Sequence, residues 1–173
     1  MKCKKCGGLL KFENGIYVCE SCNNKYGADL FYENTDVAIC YIETDDFGRR
    51  TKDSILAQDL YNRLQNSNIN TFYQRISIAN LTGVEYQINY DYAVSKSKII
   101  VVLGTSKENF KKILKENRDK FADKKIIPVY SGISAYDIPH ELKKLQARNY
   151  DNVGAITDLV HDILLALGRE SEA

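Results

Sequence analysis

A parallel α/β sheet of about five strands, covered by helices on both faces and preceded by a small cysteine hairpin, is the architecture this sequence predicts. Three observations predict it. Residues 36–42 (DVAICYI) form a short apolar run, Leu56, Leu60 and Leu64 recur at helical spacing, and residues 69–75 read as a second strand. Strand, helix and strand in that order open a parallel sheet. In such sheets ligands sit at the carboxyl ends of strands, so the polar segment 43–50 (ETDDFGRR) falls where a site is expected.

Ahead of this unit, four of the five cysteines fall in two pairs, Cys3-x-x-Cys6 and Cys19-x-x-Cys22, separated by a stretch with apolar residues on either side of Asn14-Gly15. That is a hairpin between two thiolate knuckles, and two knuckles bring four sulfurs into the tetrahedral arrangement that suits Zn²⁺. Two disulfides are the alternative, but nothing in the sequence points to an oxidising compartment. A segment this short gains most of its stability from metal, and four thiolates leave no open coordination position, so the zinc is expected to be structural. Cys40, alone in the first strand, reads as a core residue.

The remaining elements follow in order. Residues 27–35 link the ribbon (1–26) to the main domain (36–168), and Leu30, Phe31 and Tyr32 predict that the linker packs down. Residues 77–83 read as a loop, 84–97 as a helix, 98–104 as a buried strand, 107–121 as a helix and 124–130 as a strand. Pro128 in that last strand predicts an edge or an irregular end. Residues 140–146 read as a short helical piece, 156–167 as an amphipathic helix and 169–173 as a frayed tail.

Lys plus Arg number 24 against 23 Asp plus Glu, so there is no general pull toward polyanions, and neither nucleic acid nor membrane is an expected partner. No apolar signal core opens MKCKKCGG and no segment is apolar enough to span a bilayer, which leads to the expectation of a cytoplasmic protein. His140 and His161 read as surface or capping residues, and no G-x-S-x-G elbow is present.

Several separated segments carry a family resemblance: DVAICYIETD, GRRTKDS and AQDLY, then RISIANLTGVEYQ, KIIVVLGTSKENF, IIPVYSGISAYDIPHEL and LQARNYDNVGAITDLVHDI. In this order they resemble a bacterial TIR (Toll/interleukin-1 receptor) domain. The resemblance implies a flavodoxin-like TIR fold. It also implies cleavage of the nicotinamide–ribose bond of NAD⁺, by hydrolysis or cyclisation, in antiphage defence or signalling. The other role it implies is a silent module that self-associates or docks onto another TIR or effector protein through the loop 77–83, with Ile78 and Leu81 as apolar tips.

Breaking that bond develops positive charge on the ribose, so a carboxylate beside the sugar is needed. The family places a Glu on the helix after the third strand, commonly four residues after a Trp. This chain has no Trp, and aligning its helix from Phe110 or from Phe121 puts Arg118 or Asn117 at that position. Glu116 is the neighbouring acid. On a helical wheel Phe110, Ile113, Leu114, Asn117 and Phe121 form one stripe, Glu108 and Asp119 lie opposite, and Glu116 sits at the border. It is therefore the candidate catalytic residue, although an ion pair with Lys112 or Lys120 at i±4 would also explain it.

Tyr41, Glu43, Arg49, Arg50, Ser77, Tyr86 and Phe110 are the candidate substrate contacts. An Arg at 49 or 50 is suited to pyrophosphate, Glu43 to a ribose hydroxyl and Tyr86 to a ring wall. An internal salt bridge between Arg49 or Arg50 and Asp45 or Asp46 is the competing reading for that loop.

Overall fold

The computed structural model describes residues 1–143 and 145–169. The expected frayed tail therefore lies outside the described residues apart from Arg169. Asn14 and Gly15, both at positive φ (51° and 81°), make the turn expected of an Asn-Gly pair. They join β1 (Leu10–Glu13) to β2 (Ile16–Cys19), and β3 (Lys25–Tyr26) adds to the other side of β2, giving a three-stranded antiparallel sheet. The linker packs down as expected: Ala28–Phe31 form one 3-10 turn, with Ala28 and Tyr32 buried.

The main domain is a five-stranded parallel sheet of β4 (Val37–Cys40), β5 (Thr71–Phe72), β6 (Ile99–Gly104), β7 (Lys125–Tyr130) and β8 (Arg148–Asn149). Their spatial order, β5-β4-β6-β7-β8, is the flavodoxin-like order. Every residue of β4 and β6 is buried because helices cover both faces, which is why these strands read as unbroken apolar runs. Alternate residues serve opposite faces. Val37, Ile39, Val101 and Leu103 pack with α1 (Lys52–Asn66) and α6 (Ala155–Ala166), whereas Ala38, Cys40, Ile100 and Val102 pack with α3 (Gly83–Lys96) and α4 (Lys107–Asn117).

Each helix start is chemically marked or conspicuously plain. The Thr51 hydroxyl accepts from the Ser54 N–H at 3.1 Å and caps α1, and the Ser106 hydroxyl accepts from the Asn109 N–H at 3.1 Å and caps α4. By contrast α3 has no side-chain cap at Thr82 and begins on Gly83 at φ 57°. Below α4, a Cβ on Gly104 would meet the Phe110 ring at 2.8 Å, so only glycine lets the helix lie this close to the strand.

Three expectations need correction. The second strand is Thr71–Phe72 rather than 69–75, because the chain turns in at Tyr73, whose buried hydroxyl donates to the Ser54 carbonyl at 3.1 Å. The backbone then coils into α2 (Gln74–Ser77) where a loop was expected to start. In that region Ile78 is buried and Leu81 packs on the core, so they are not exposed tips; Ile76 and Val84 are. Helix α4 ends at Asn117 instead of 121, and the chain turns through Asp123 at φ 60°. Strand β7 is not an edge strand, since β8 lies outside it, but β8 pairs with it only from Val129 onward, so the outer side of Pro128 meets no strand residue. Helix α5 (His140–Lys143) is one turn of the expected 140–146 segment. Among the described residues no helix is long and apolar enough to cross a membrane.

Candidate functional site

The four paired cysteines converge. The sulfurs of Cys3, Cys6, Cys19 and Cys22 all lie within 4.8 Å of one another, with Cys3 to Cys22 at 3.7 Å and Cys6 to Cys19 at 3.4 Å. Four thiolates about 2.3 Å from one tetrahedral ion would stand roughly 3.8 Å apart, so the donor set fits a metal such as zinc. Gly7 and Asn23, one residue beyond each knuckle, take the positive φ (73° and 59°) that the tight turns require. Tyr26 shares a 3.1 Å hydrogen bond with Cys3, which is the leading cause holding that thiol down, whereas in the absence of a cation the neighbouring sulfurs push the Cys6 thiol up. A lowered thiol pKa favours the thiolate that a metal binds.

The second site is a cleft of about 940 Å³ between the carboxyl end of β4 and the helices α3 and α4. It opens beside the switch point where β5 and β6 flank β4 on opposite sides, the position where such sheets take ligands. Of the candidates, Tyr41, Glu43, Tyr86 and Glu116 line it. Glu43 accepts a 2.6 Å hydrogen bond from the Tyr41 hydroxyl and pairs with Arg75 at 2.5 Å. Burial pushes the Glu43 carboxyl upward, but the hydrogen bonds led by Tyr41 and the Arg75 charge prevail and hold it below its ordinary value. Glu43 is thus an ionised, immobilised carboxylate.

Glu116 is different. Among the described residues its carboxylate has no side-chain hydrogen bond or ion pair, and it faces the cleft from the exposed border of α4. The lysines that might have paired with it go elsewhere: Lys112 to Asp46 at 3.3 Å and Lys120 to Asp91 at 2.9 Å. The stripe of Phe110, Ile113, Leu114, Asn117 and Phe121 is the buried face, as the helical wheel predicts.

The other candidates are not in the cleft lining. Arg49 donates to Asp45 at 2.8 Å and stacks over the Phe47 ring at 5.1 Å, closing the loop on itself. Arg50 turns back over α1 to Ser54 and Gln58 at 2.8 and 2.5 Å. Ser77 accepts from the Tyr73 N–H at 3.0 Å within the α2 turn. Phe110 is fully buried and offers no surface to a ligand. The cations facing the cleft are instead Lys112, Lys115 and Lys120 on α4. Their spacing around Glu116 was visible in the sequence, whereas Arg75 reaching Glu43 had no local signal.

Two polar contacts made by packing also escape sequence reasoning. Asp53, fully buried in the first turn of α1, accepts from the Thr105 hydroxyl and from the Asn109 amide at 3.1 Å, tying α1 to the start of α4. Glu85 accepts from the Tyr17 hydroxyl of the cysteine hairpin at 2.8 Å and so is already engaged.

The arrangement in the cleft is one fixed and one free carboxylate, phenol rings from β4 and α3, and lysines from α4. Such a set fits a ligand that combines a ring, hydroxyls and negative charge. A scan against protein-family models returns no match for this chain, and a search of curated proteins returns none either.

Proposed function

We propose that the protein is a TIR-type domain whose cleft binds NAD⁺ and cleaves its nicotinamide–ribose bond, by hydrolysis or cyclisation. The observation that carries this reading is the Glu116 carboxylate, unpaired among the described residues, in the same cleft as Tyr41, Glu43 and Tyr86. Glu116 would stabilise the positive charge developing on the ribose, a role for which a carboxylate not held in an ion pair is suited. Glu43, fixed by Tyr41 and Arg75, would accept from a ribose hydroxyl, and Tyr86 would wall a ring. Lys112 and Lys115 replace Arg49 and Arg50 as the groups proposed for the pyrophosphate. The four thiolates hold one structural zinc. Antiphage defence or signalling is the context that the resemblance supplies.

The test is to incubate purified, concentrated protein with NAD⁺ and quantify nicotinamide together with linear or cyclic ADP-ribose. Release that scales with protein and carries a defined ADP-ribose product is expected. No release from the concentrated, metal-loaded wild type would overturn the enzymatic reading.

A second reading, a module that acts by self-association or by docking to another TIR or effector protein, draws on one observation. Ile76 and Val84, which flank the segment between α2 and α3, are 46% and 68% exposed, and apolar side chains held in water favour contact.

A further inference from the structure

We propose that the cysteine hairpin is a metal-dependent clamp on α3, so that filling the four-thiolate site sets the position of one wall of the cleft. The inference rests on metal binding by the cysteines and not on the NAD⁺ reading. Its centre is Tyr17, on β2 two residues before Cys19 and 1% exposed. The ring is packed at 5.2 Å from Phe12 and 5.4 Å from Phe31. Its hydroxyl donates to Glu85 at 2.8 Å and accepts from the Asn89 amide at 2.8 Å. Asn89, fully buried, donates also to the Glu85 carbonyl at 2.8 Å and accepts from the Tyr32 hydroxyl at 2.6 Å.

Glu85 and Asn89 are four residues apart and share one face of α3. Tyr86 and Tyr90, each one step of about 100° further round, line the cleft. A shift of the helix face that meets the hairpin is therefore a shift of the cleft wall. Leu81 and Tyr86 pack the start of α3 on the core, but its polar end is weakly held, since Thr82 provides no side-chain cap and Gly83 opens the helix.

The hairpin cannot maintain this contact by itself. Its strands have four, four and two residues, too little core to fold without the ion. If the metal leaves, Tyr17 withdraws and the buried amide of Asn89 loses a partner. A buried polar group left unpaired must be rehydrated, and the first turns of α3 open to admit water.

Hydrogen–deuterium exchange on the full chain, with metal content measured on the same sample, tests the clamp. Chelation is expected to speed exchange in residues 83–96 by about tenfold, the scale of one lost hydrogen bond, while α1 and α6 keep their rates. Tyr17→Phe keeps the ring and the ligands. It should retain one metal per chain and still speed exchange in the first turns of α3. Unchanged α3 exchange in both experiments would overturn the clamp, as would loss of protection throughout the chain on chelation. Nicotinamide release enters neither measurement, so failure of the clamp and failure of the proposed activity are separable.

Discussion

Tyr41 donates its hydroxyl to Glu43 at 2.6 Å, joining two residues that leave the end of β4 on the same side of the chain. Arg75, from beyond β5, closes on the same carboxylate. The cleft thus holds one acid committed to internal partners and one, Glu116, without any among the described residues.

That commitment makes Glu43 a source of acid sensitivity. Its pKa is depressed in the folded chain, so its contribution to stability is present above the ordinary value of 4.5 and is lost as pH falls through the lowered value. Urea midpoints measured from neutral pH down past 4.5 should fall in the wild type, and Glu43→Gln should remove part of that slope. Identical pH profiles for the two proteins would show that Glu43 is not held in this way.

Under the proposed activity, Glu116→Gln should lower nicotinamide release by more than about a hundredfold, the scale for loss of one key electrostatic stabiliser. Because Glu116 is exposed and has no side-chain partner among the described residues, the Tm of the variant should barely move. Activity retained in Glu116→Gln but lost in Glu43→Gln would transfer the role to Glu43.

Elemental analysis should find one zinc per chain, and Cys19→Ser, at a fully buried ligand, should abolish it. A metal-free protein whose residues 1–26 are nonetheless protected from proteolysis would argue against a metal centre.

Asp53→Ala should cost roughly 1–3 kcal/mol, the penalty for leaving the Thr105 hydroxyl and Asn109 amide without their partner. Chemical denaturation measures it directly. A variant as stable as wild type would mean that water replaces the carboxylate.

If the chain self-associates through the segment between α2 and α3, Val84→Asp and Ile76→Asp should weaken association in sedimentation experiments, because both are exposed apolar residues beside that segment. Ile78→Asp should instead destabilise the fold. A strict monomer at high concentration would remove this reading.

The sheet is legible in local pattern, since its central strands are buried on both faces and leave unbroken apolar runs at residues 37–40 and 99–104. The helix stripe on α4 and the four-cysteine cluster were legible for the same kind of reason: periodicity and spacing are local, and the chemistry follows from them. The two-residue strands β5 and β8 are too short to carry a period, so β5 was read as too long and β8 was not placed. Which charges are engaged depends on packing between distant segments. Arg49 and Arg50 belong to their own loop and helix, Arg75 crosses to Glu43, and Lys112 and Lys120 pair with Asp46 and Asp91 instead of Glu116, all through contacts between side chains brought together by packing. The junction of Tyr17 with Glu85 and Asn89 is of the same kind, for residues about 70 apart meet only when the hairpin docks on α3.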